Sequence, residues 1–274
     1  MSTNSASDVD PTDGLPLGDV GPWASRKHGF VSHYIKITSR ARAKFGGNSA
    51  FVDLYCGPGR ARVKDTGEII DGSALVAWKA CQEPGYGSPF QRLLIADIRE
   101  DYVAACTARL GNAPVEGFVG DVADATRRIV NTLDPAAFTL VLVDPFNLSG
   151  LNYEIFERLA TLKHVDFIVH FSTMDIQRNV DRYFTATESP LDRIAPGWRG
   201  QLSPSMKSED KLRAVFEQWK RAIGDLGFKV DSDPAAIINS KNRWIYWLVC
   251  ASRHPLAADL WSKISKLGPQ GNLF

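Results

Sequence analysis

Apolar and polar positions along the chain form short apolar runs that alternate with amphipathic segments. Five runs rich in Val, Ile, Leu and Phe predict strands over residues 50–55, 92–98, 115–119, 138–143 and 165–171. The segments around them have helical periodicity and predict helices over residues 23–45, 73–81, 100–110, 123–133 and 153–162. Strands that alternate with helices of this length imply βαβ units and a parallel sheet. Continuous apolar strands fit a sheet that is buried on both faces.

The C-terminal part of the chain departs from this alternation. An irregular stretch is predicted up to residue 208, followed by a helix over 209–226. Two β-rich runs, 228–238 and 244–251, are separated by five polar residues that suit a hairpin loop, and a last helix is predicted over 258–267. The pattern alone indicates an open α/β sheet. Five parallel strands plus a C-terminal β-hairpin, with helices on both faces, is the order expected of a class I methyltransferase (Rossmann-like) fold.

Length and composition bound the domain organisation. The chain has 274 residues, of which 44% are hydrophobic and 23% charged, and these values are ordinary for a globular protein. Residues 1–21 are rich in Ser, Asp, Gly and Pro and predict a flexible tail, which leaves residues 22–274 as a single domain. Within that domain the predicted insertions are residues 60–70, 82–90 and 174–208.

Several function classes are disfavoured by the sequence. No apolar run approaches the roughly 18 residues of a membrane span, and the N-terminus has no hydrophobic signal region. Four cysteines, Cys56, Cys81, Cys106 and Cys250, form no CxxC pair and no spacing typical of a zinc site or disulfide framework. We therefore expect a cytoplasmic protein with reduced thiols, no metal site and no membrane association.

The net charge of +1 conceals an uneven distribution of charge. Residues 20–52 contain six Lys and Arg residues and no acidic residue, and the C-terminal part from Ser240 is also basic. Such ends can bind phosphates, although a solvated helix face would have the same composition. The candidate substrate or phosphate ligands are Lys27, His28, Arg60, Arg62 and Lys64. The last three belong to the insertion at 60–70, which is either a substrate-facing loop or a variable one.

Polar or glycine-rich residues follow every predicted strand. In open α/β sheets, ligands bind beyond the carboxyl ends of the strands. Asp53 ends the first strand ahead of Gly57 and Gly59, whose missing side chains let the backbone approach a ligand. Asp97 can accept hydrogen bonds from both hydroxyls of a ribose, and Asp121 can accept one from an adenine amino group. Each feature alone also suits a turn or a helix cap, but together they predict a nucleoside-cofactor site. This site also includes the neighbouring residues Tyr55, Ile98 and Val122.

The glycine turn discriminates among nucleoside cofactors. The dinucleotide fingerprint requires a third glycine where this chain has Arg62, so NAD and FAD fit poorly. No GxxxxGK[ST] sequence occurs, and ATP hydrolysis at a P-loop is therefore unsupported. S-adenosylmethionine is the remaining candidate.

The chain resembles a known family, the three-Cys-motif partner proteins of bacteria and phages. The resemblance rests on FVDLYCGPGRARVKDTGEIIDGSALVAW, on LVLVDPFN, and on Trp23 with Lys27, His28 and Tyr34. It covers residues 22–175 clearly and the last hundred residues weakly. It implies a class I methyltransferase fold, with Gly72 and Ser73 at a helix start whose amides would bind the cofactor carboxylate. It also implies a partner, an iron–sulfur protein with a three-cysteine motif.

Asp144, Pro145, Phe146 and Asn147 follow the fourth strand and are the predicted catalytic residues. They are similar to the Asp/Asn-Pro-Pro-aromatic motif of enzymes that methylate exocyclic amines of flipped bases. In that motif an oxygen accepts the amine hydrogens and the aromatic ring stacks on the base. The match is partial, because Phe146 replaces the second proline and Asn147 the aromatic residue. Carbon-5 methylation needs a cysteine nucleophile, and no cysteine lies near this motif.

The leading functional prediction is an S-adenosylmethionine-dependent methyltransferase that acts on nucleic acid, either DNA or RNA, with the three-cysteine protein as a candidate partner. Two alternatives remain open. The chain could be a non-catalytic module of the same fold in DNA repair or modification, or a methyltransferase for a small molecule.

Overall fold

The computed structural model describes residues 9–86, 88–231, 234–238 and 244–266. The strands are β1 (Gly18–Val20), β2 (Ser49–Asp53), β3 (Arg60–Val63), β4 (Ile69–Asp71), β5 (Arg92–Asp97), β6 (Val115–Val119), β7 (Phe138–Val143), β8 (His164–Phe171), β9 (Lys229–Val230), β10 (Ala235–Ile238) and β11 (Trp244–Ser252). The helices are α1 (Ala24–Ile37), α2 (Ser39–Ala43), α3 (Ser73–Gln82), α4 (Glu100–Leu110), α5 (Val122–Thr132), α6 (Tyr153–Leu159), α7 (Thr173–Thr185), α8 (Pro190–Ile194), α9 (Trp198–Gln201), α10 (Ser208–Asp225) and α11 (Pro255–Ser265). A 3₁₀ turn covers Leu148–Gly150.

The main sheet has the strand order β6-β5-β2-β7-β8-β11-β10, with β9 beside β11. The strands from β6 to β8 in this order are parallel, and β11 runs antiparallel between β8 and β10. The predicted fold is confirmed: five parallel strands are extended by an antiparallel C-terminal pair, which is the class I methyltransferase arrangement. The predicted hairpin loop, residues 239–243, lies outside the described residues.

The sheet is buried on both faces because helices cover each of them. Neighbouring residues of β2 point to opposite sides, so Val52 belongs to one apolar cluster and Phe51 to the other. The first cluster includes Trp219 of α10, and the second includes Tyr34 of α1 and Trp261 of α11. Burying one such side chain stabilises the fold by roughly 1.5–3 kcal/mol or more. Among the residues described, no helix combines the length and apolarity needed to cross a membrane.

Residues 9–20 differ from the predicted flexible tail. Strand β1 pairs with β3 in a small three-stranded sheet, β1-β3-β4, beside the main sheet. Asp10 is fully buried and lies 3.1 Å from the guanidinium of Arg60. Arg109 of α4 donates to Asp13 and to the carbonyl of Pro16. These polar contacts anchor a segment that lacks enough apolar residues to be recognised as part of the domain. Residues 1–8 of the predicted tail lie outside the described residues.

The insertions also have more regular structure than predicted. Residues 60–71 contain the antiparallel pair β3 and β4. The stretch 174–208 was expected to be irregular, but it contains most of α7 and all of α8 and α9. Helix α7 buries Ile176, Val180 and Phe184, whose i, i+4, i+8 spacing forms one apolar stripe.

The basic segment 23–45 forms two helices where one was predicted. The hydroxyl of Thr38 donates to the carbonyl of Tyr34 at 2.6 Å, and α1 ends at the preceding residue. Such a bond competes with the helix ladder. Arg42 in α2 is fully buried and donates to the carbonyls of Ile35 and Ser88. The segment is therefore not simply a solvated basic face.

Candidate functional site

The carboxyl ends of the five parallel strands lie along one edge of the sheet. The chain leaves β2 toward β5 and β6 on one side and later returns to β7 and β8 on the other, so the strand order reverses between β2 and β7. Ligands of open α/β sheets bind at such a point. Asp53 pairs in register with Leu142, which places Asp53 and Asp144 on the two sides of the reversal.

The turn after β2 needs its glycines for two different reasons. Gly59 has φ +85°, and a β-carbon there would lie 3.1 Å from both the Cα of Cys106 and a methyl group of Leu75. Gly57 has φ +55°, but a β-carbon there would meet no atom within 4 Å. Gly59 thus allows the turn to pack on α3 and α4, whereas Gly57 faces open space. A β-carbon at Gly72 would lie 3.0 Å from the carbonyl oxygen of Gly59, so these two backbones also require close approach.

Asp53 connects the end of β2 to the start of α3. Its carboxylate accepts a hydrogen bond from the Ser73 hydroxyl at 2.5 Å and one from the backbone N–H of Tyr55 at 3.2 Å. Complete burial raises the pKa of Asp53 to about 6 despite these donors. Helix α3 has Gly72 as its N-cap residue, no side-chain cap and no acidic residue in its first turn. Its first amides are thus suited to an anionic group.

Asp97, a predicted cofactor ligand, lies beside the glycine turn. Its carboxylate accepts hydrogen bonds from the backbone N–H of Gly57 at 3.1 Å and of Arg99 at 3.0 Å. These bonds fix the carboxylate next to the open space at Gly57. The following residue, Ile98, has 73% of its surface exposed, which is unusual for a large apolar side chain. Asp97 and Ile98 thus place a hydrogen-bond acceptor and an apolar surface at the same edge of the sheet.

Asp121 and Val122 lie at the start of α5. Asp121 is exposed and caps this helix, since its carboxylate accepts a hydrogen bond from the backbone N–H of Ala123 at 2.9 Å. Val122 is half-buried. The cap is the ordinary role of a strand-end aspartate, and the second carboxylate oxygen remains available for an additional donor.

Asp144 lies at the centre of a compact polar cluster that joins three elements. Its side chain is only 12% exposed; one oxygen pairs with Lys27 of α1, and the other lies 2.8 Å from Nδ1 of His170 in β8. Burial opposes the charge of Asp144, but Lys27 and His170 outweigh that effect and hold its pKa below the usual range. Burial and the charge of Lys27 lower the pKa of the neighbouring His28 to about 3. The cluster therefore contains an ionised carboxylate beside a neutral imidazole at His28.

Tyr246 of β11 completes this cluster. Its ring centroid lies 3.9 Å from that of His170, and its hydroxyl is buried with no hydrogen-bond partner among the described residues. Burial raises its pKa well above the ordinary value. His170 was not among the predicted site residues. The signal that could have included it is its position at the end of β8, beside Asp144 at the end of β7.

The loop after β7 projects Phe146 into solvent. Phe146 is 96% exposed, although its flanks are anchored. The hydroxyl of Tyr55 donates to the carbonyl of Gly150, and the N–H of Leu148 donates to Asp175 at 2.9 Å. Asn147 is also exposed, whereas Pro145 is buried against the loop. An almost fully exposed aromatic ring on a tethered loop is available for stacking against a planar ligand.

The predicted phosphate ligands do not form a single exposed patch. Lys27 is paired with Asp144, and Arg60 contacts Asp10, Asp13 and Asp71. Lys27 and Arg60 were predicted to bind phosphates. This prediction is wrong for the arrangement observed, because nearby carboxylates already neutralise both side chains. The remaining candidates have different environments: His28 and Arg62 are half-buried, whereas Lys64 is exposed after β3.

The chain is similar to solved structures of other proteins at low sequence identity. The O-methyltransferase from Bacillus cereus, solved in complex with SAH, is similar with a TM-score of 0.51 and 12% identity, over 88% of this chain and 86% of that chain. Protein LPL1258 from Legionella pneumophila is similar with a TM-score of 0.51 and 10% identity, over 89% of this chain and 94% of that chain. No protein-family model matches the sequence, and no curated protein matches it significantly. The chain has the class I methyltransferase fold.

Proposed function

We propose that this protein is an S-adenosylmethionine-dependent methyltransferase that acts on nucleic acid. The observation that carries the proposal is the open space at Gly57, beside the fixed carboxylate of Asp97 and the exposed side chain of Ile98. These features lie at the strand ends of a class I methyltransferase fold, where such folds bind their cofactor.

The residues present fit the parts of this cofactor. The uncapped start of α3 suits its carboxylate, and Asp97 suits the ribose hydroxyls. Ile98 and Val122 offer apolar surface to the adenine ring, and Asp121 can accept from its amino group. The bound cofactor would supply a methyl group on a positively charged sulfur. The protein's own part is to hold the acceptor beside Asp144.

Phe146 supports a nucleic-acid acceptor because an exposed ring can stack on a base. The resemblance to the three-Cys-motif partner proteins adds an iron–sulfur protein as a proposed partner. It also supports an alternative, in which the chain is a non-catalytic module in DNA repair or modification. A second candidate is a small-molecule methyltransferase. It is favoured by the ion pairs of Lys27 and Arg60, which leave these two cations less available to phosphates.

Calorimetric titration tests the cofactor part of the proposal. Micromolar binding of S-adenosylmethionine and S-adenosylhomocysteine, with no binding of NAD, is the expected result. Asp97→Asn should weaken adenosyl binding at least tenfold. Asparagine replaces one of the two acceptor oxygens by an NH2 donor, whereas the N–H of Gly57 and the ribose hydroxyls all require acceptors. The matched control Glu116→Gln removes an exposed carboxylate near the opposite end of the neighbouring strand and should bind like wild type. Equal binding by both variants would contradict the assignment.

Retention on DNA and RNA columns separates the two acceptor classes. A nucleic-acid enzyme should be retained at low salt and released as the salt concentration rises, because phosphate contacts release counterions. Failure of both nucleic acids to retain the protein, with cofactor binding intact, would favour the small-molecule candidate. Binding without methyl transfer to any acceptor would favour the non-catalytic role.

A further inference from the structure

The cluster around Asp144 determines which nitrogen of His170 carries a proton. Asp144 is ionised because Lys27 and His170 both stabilise its negative charge despite burial. An ionised carboxylate can only accept hydrogen bonds, so Nδ1 of His170, 2.8 Å away, must be the donor. In the neutral ring the proton acceptor is then Nε2. A carboxylate that orients a histidine in this way leaves its second nitrogen ready to remove a proton.

The surroundings of His170 include a buried polar group that lacks a hydrogen-bond partner among the described residues. The His170 side chain is 14% exposed at the carboxyl end of β8, one strand from the loop that carries Phe146. Beside it, the Tyr246 hydroxyl is buried without a partner among the described residues. Leaving a buried hydroxyl unsatisfied costs about 1–3 kcal/mol. A bound polar group at this position would remove that cost.

The same contacts argue against the exocyclic-amine chemistry predicted from the Asp-Pro-Phe-Asn sequence. That chemistry uses the oxygen at the position of Asp144 to accept amine hydrogens. Here each oxygen of Asp144 already accepts a bond, one from the ammonium of Lys27 and one from the imidazole of His170. An incoming amine would have to share the carboxylate with a largely buried cation, which weakens its contact with these oxygens.

Within the proposed function, on which this inference rests, we propose that His170 is the general base and that the acceptor atom carries a proton that must be removed. A hydroxyl and a ring N–H of a base share this chemistry. As the acceptor lone pair forms its bond to the methyl carbon, the carbon–sulfur bond breaks and its electron pair stays on sulfur. The acceptor proton moves to Nε2 of His170 and then to solvent. Lys27 and Asp144 are positioning residues that hold the imidazole.

The pH dependence of this step depends on all charged groups that face the cluster. Lys27, His28 and Arg26 face it from α1, Asp144 from the loop after β7 and Tyr246 from β11. Asp53 of β2 interacts with Asp144 and Lys27, Asp71 of β4 interacts with His28, and Tyr55 interacts with Asp144. His170→Asn keeps all of these groups, so a difference between its pH profile and that of wild type reports on His170.

The test compares His170→Asn with His164→Asn in the full chain. Asparagine at 170 retains an N–H near the position of Nδ1 and lacks the basic nitrogen. His164 is exposed at the opposite end of the same strand, so it controls for a substitution in β8. Three quantities are measured: S-adenosylmethionine affinity by calorimetry, kcat against pH with total RNA and total DNA, and the methylated atom in digested product.

We expect His170→Asn to lower kcat by about 100-fold or more and to change the pH profile of kcat, with cofactor affinity unchanged. His164→Asn should behave like wild type. Label on a ribose oxygen, or on a ring nitrogen that carries a proton in the unmodified base, supports the inference, and the digest distinguishes these two sources. Label on a ring nitrogen without such a proton overturns it. Label on an exocyclic amine overturns it, as does a kcat within threefold of wild type. Cofactor binding without transfer to either pool also overturns it, whereas absence of cofactor binding by wild type removes the proposed function itself.

Discussion

Asp53 and Asp144 are buried carboxylates on the two sides of the strand reversal, and their surroundings differ in kind. Asp53 accepts bonds from neutral donors, Ser73 and the backbone of Tyr55, and burial raises its pKa to about 6. Asp144 contacts the ammonium of Lys27 and the ring of His170, which together hold its pKa below the usual range despite burial. The β2 side thus uses a carboxylate to fix backbone, whereas the β7 side contains a charged centre built from distant parts of the chain.

Removal of the cation beside Asp144 should have the largest effect on stability. Lys27→Met leaves the largely buried charge of Asp144 without its ammonium partner and should lower the free energy of unfolding by about 3 kcal/mol at pH 7. Urea unfolding measures this change. The matched control Lys36→Met lies on the same helix, but its partner Glu83 is 45% exposed, and it should cost no more than about 1 kcal/mol. Equal losses of stability in Lys27→Met and Lys36→Met would contradict a special role for the Lys27–Asp144 pair. The double variant Lys27→Met with Asp144→Asn should recover part of the stability lost in Lys27→Met.

The glycine turn offers the next largest effect. Gly59→Ala combines a positive φ with a contact of 3.1 Å to the backbone of α4, and it should destabilise the protein by about 2 kcal/mol. Gly57→Ala has the positive φ alone and should cost about 1 kcal/mol. Denaturant midpoints compare the two. Weaker cofactor binding by folded Gly57→Ala would mark the open space as the ligand side, and a larger stability loss at Gly57 than at Gly59 would refute the packing argument.

Asp53 gives a smaller effect whose sign depends on pH. Its folded pKa of about 6 lies above the unfolded value of about 3.9, so the native state binds more protons between these limits. Its ionisation therefore costs stability as pH rises through 6, and the penalty disappears as pH falls toward 4. Asp53→Asn should stabilise the protein by about 1 kcal/mol at pH 7.5 and by less at pH 4.5. The exposed control Asp101→Asn should show no such gain. If Asp53→Asn changed the free energy of unfolding equally at pH 4.5 and pH 7.5, that result would contradict the raised pKa of Asp53.

Phe146 should contribute to binding but not to stability. Because its side chain is 96% exposed, Phe146→Ala should change the free energy of unfolding by less than about 0.5 kcal/mol. Its loss should weaken acceptor binding by about 1–3 kcal/mol if a base stacks on the ring, which a rise in KM would report. A large loss of stability would mean that the ring packs in the fold instead.

Sequence patterns predicted the elements that depend on neighbours along the chain. The strand ends at Asp53 and Asp97 and the glycine turn between them were identified because apolar periodicity and glycine requirements are local. Helix α7 was missed although its apolar stripe was present, and the Ser189–Asp192 capping box at α8 was also readable. The anchoring of residues 9–20 was not predictable in this way, since it depends on Arg60 and Arg109, which lie about 50 and 95 residues further along the chain.

The class of fold and the set of strand ends at which a ligand can bind follow from the sequence, because burial and backbone conformation impose short periodic patterns. Three contacts are visible only in the folded chain: Lys27 pairs with Asp144, His170 contacts Asp144, and Arg60 holds the N-terminal segment. Those pairings join residues that are remote in the chain. Their energies depend on distances and burial that exist only once the sheet has assembled.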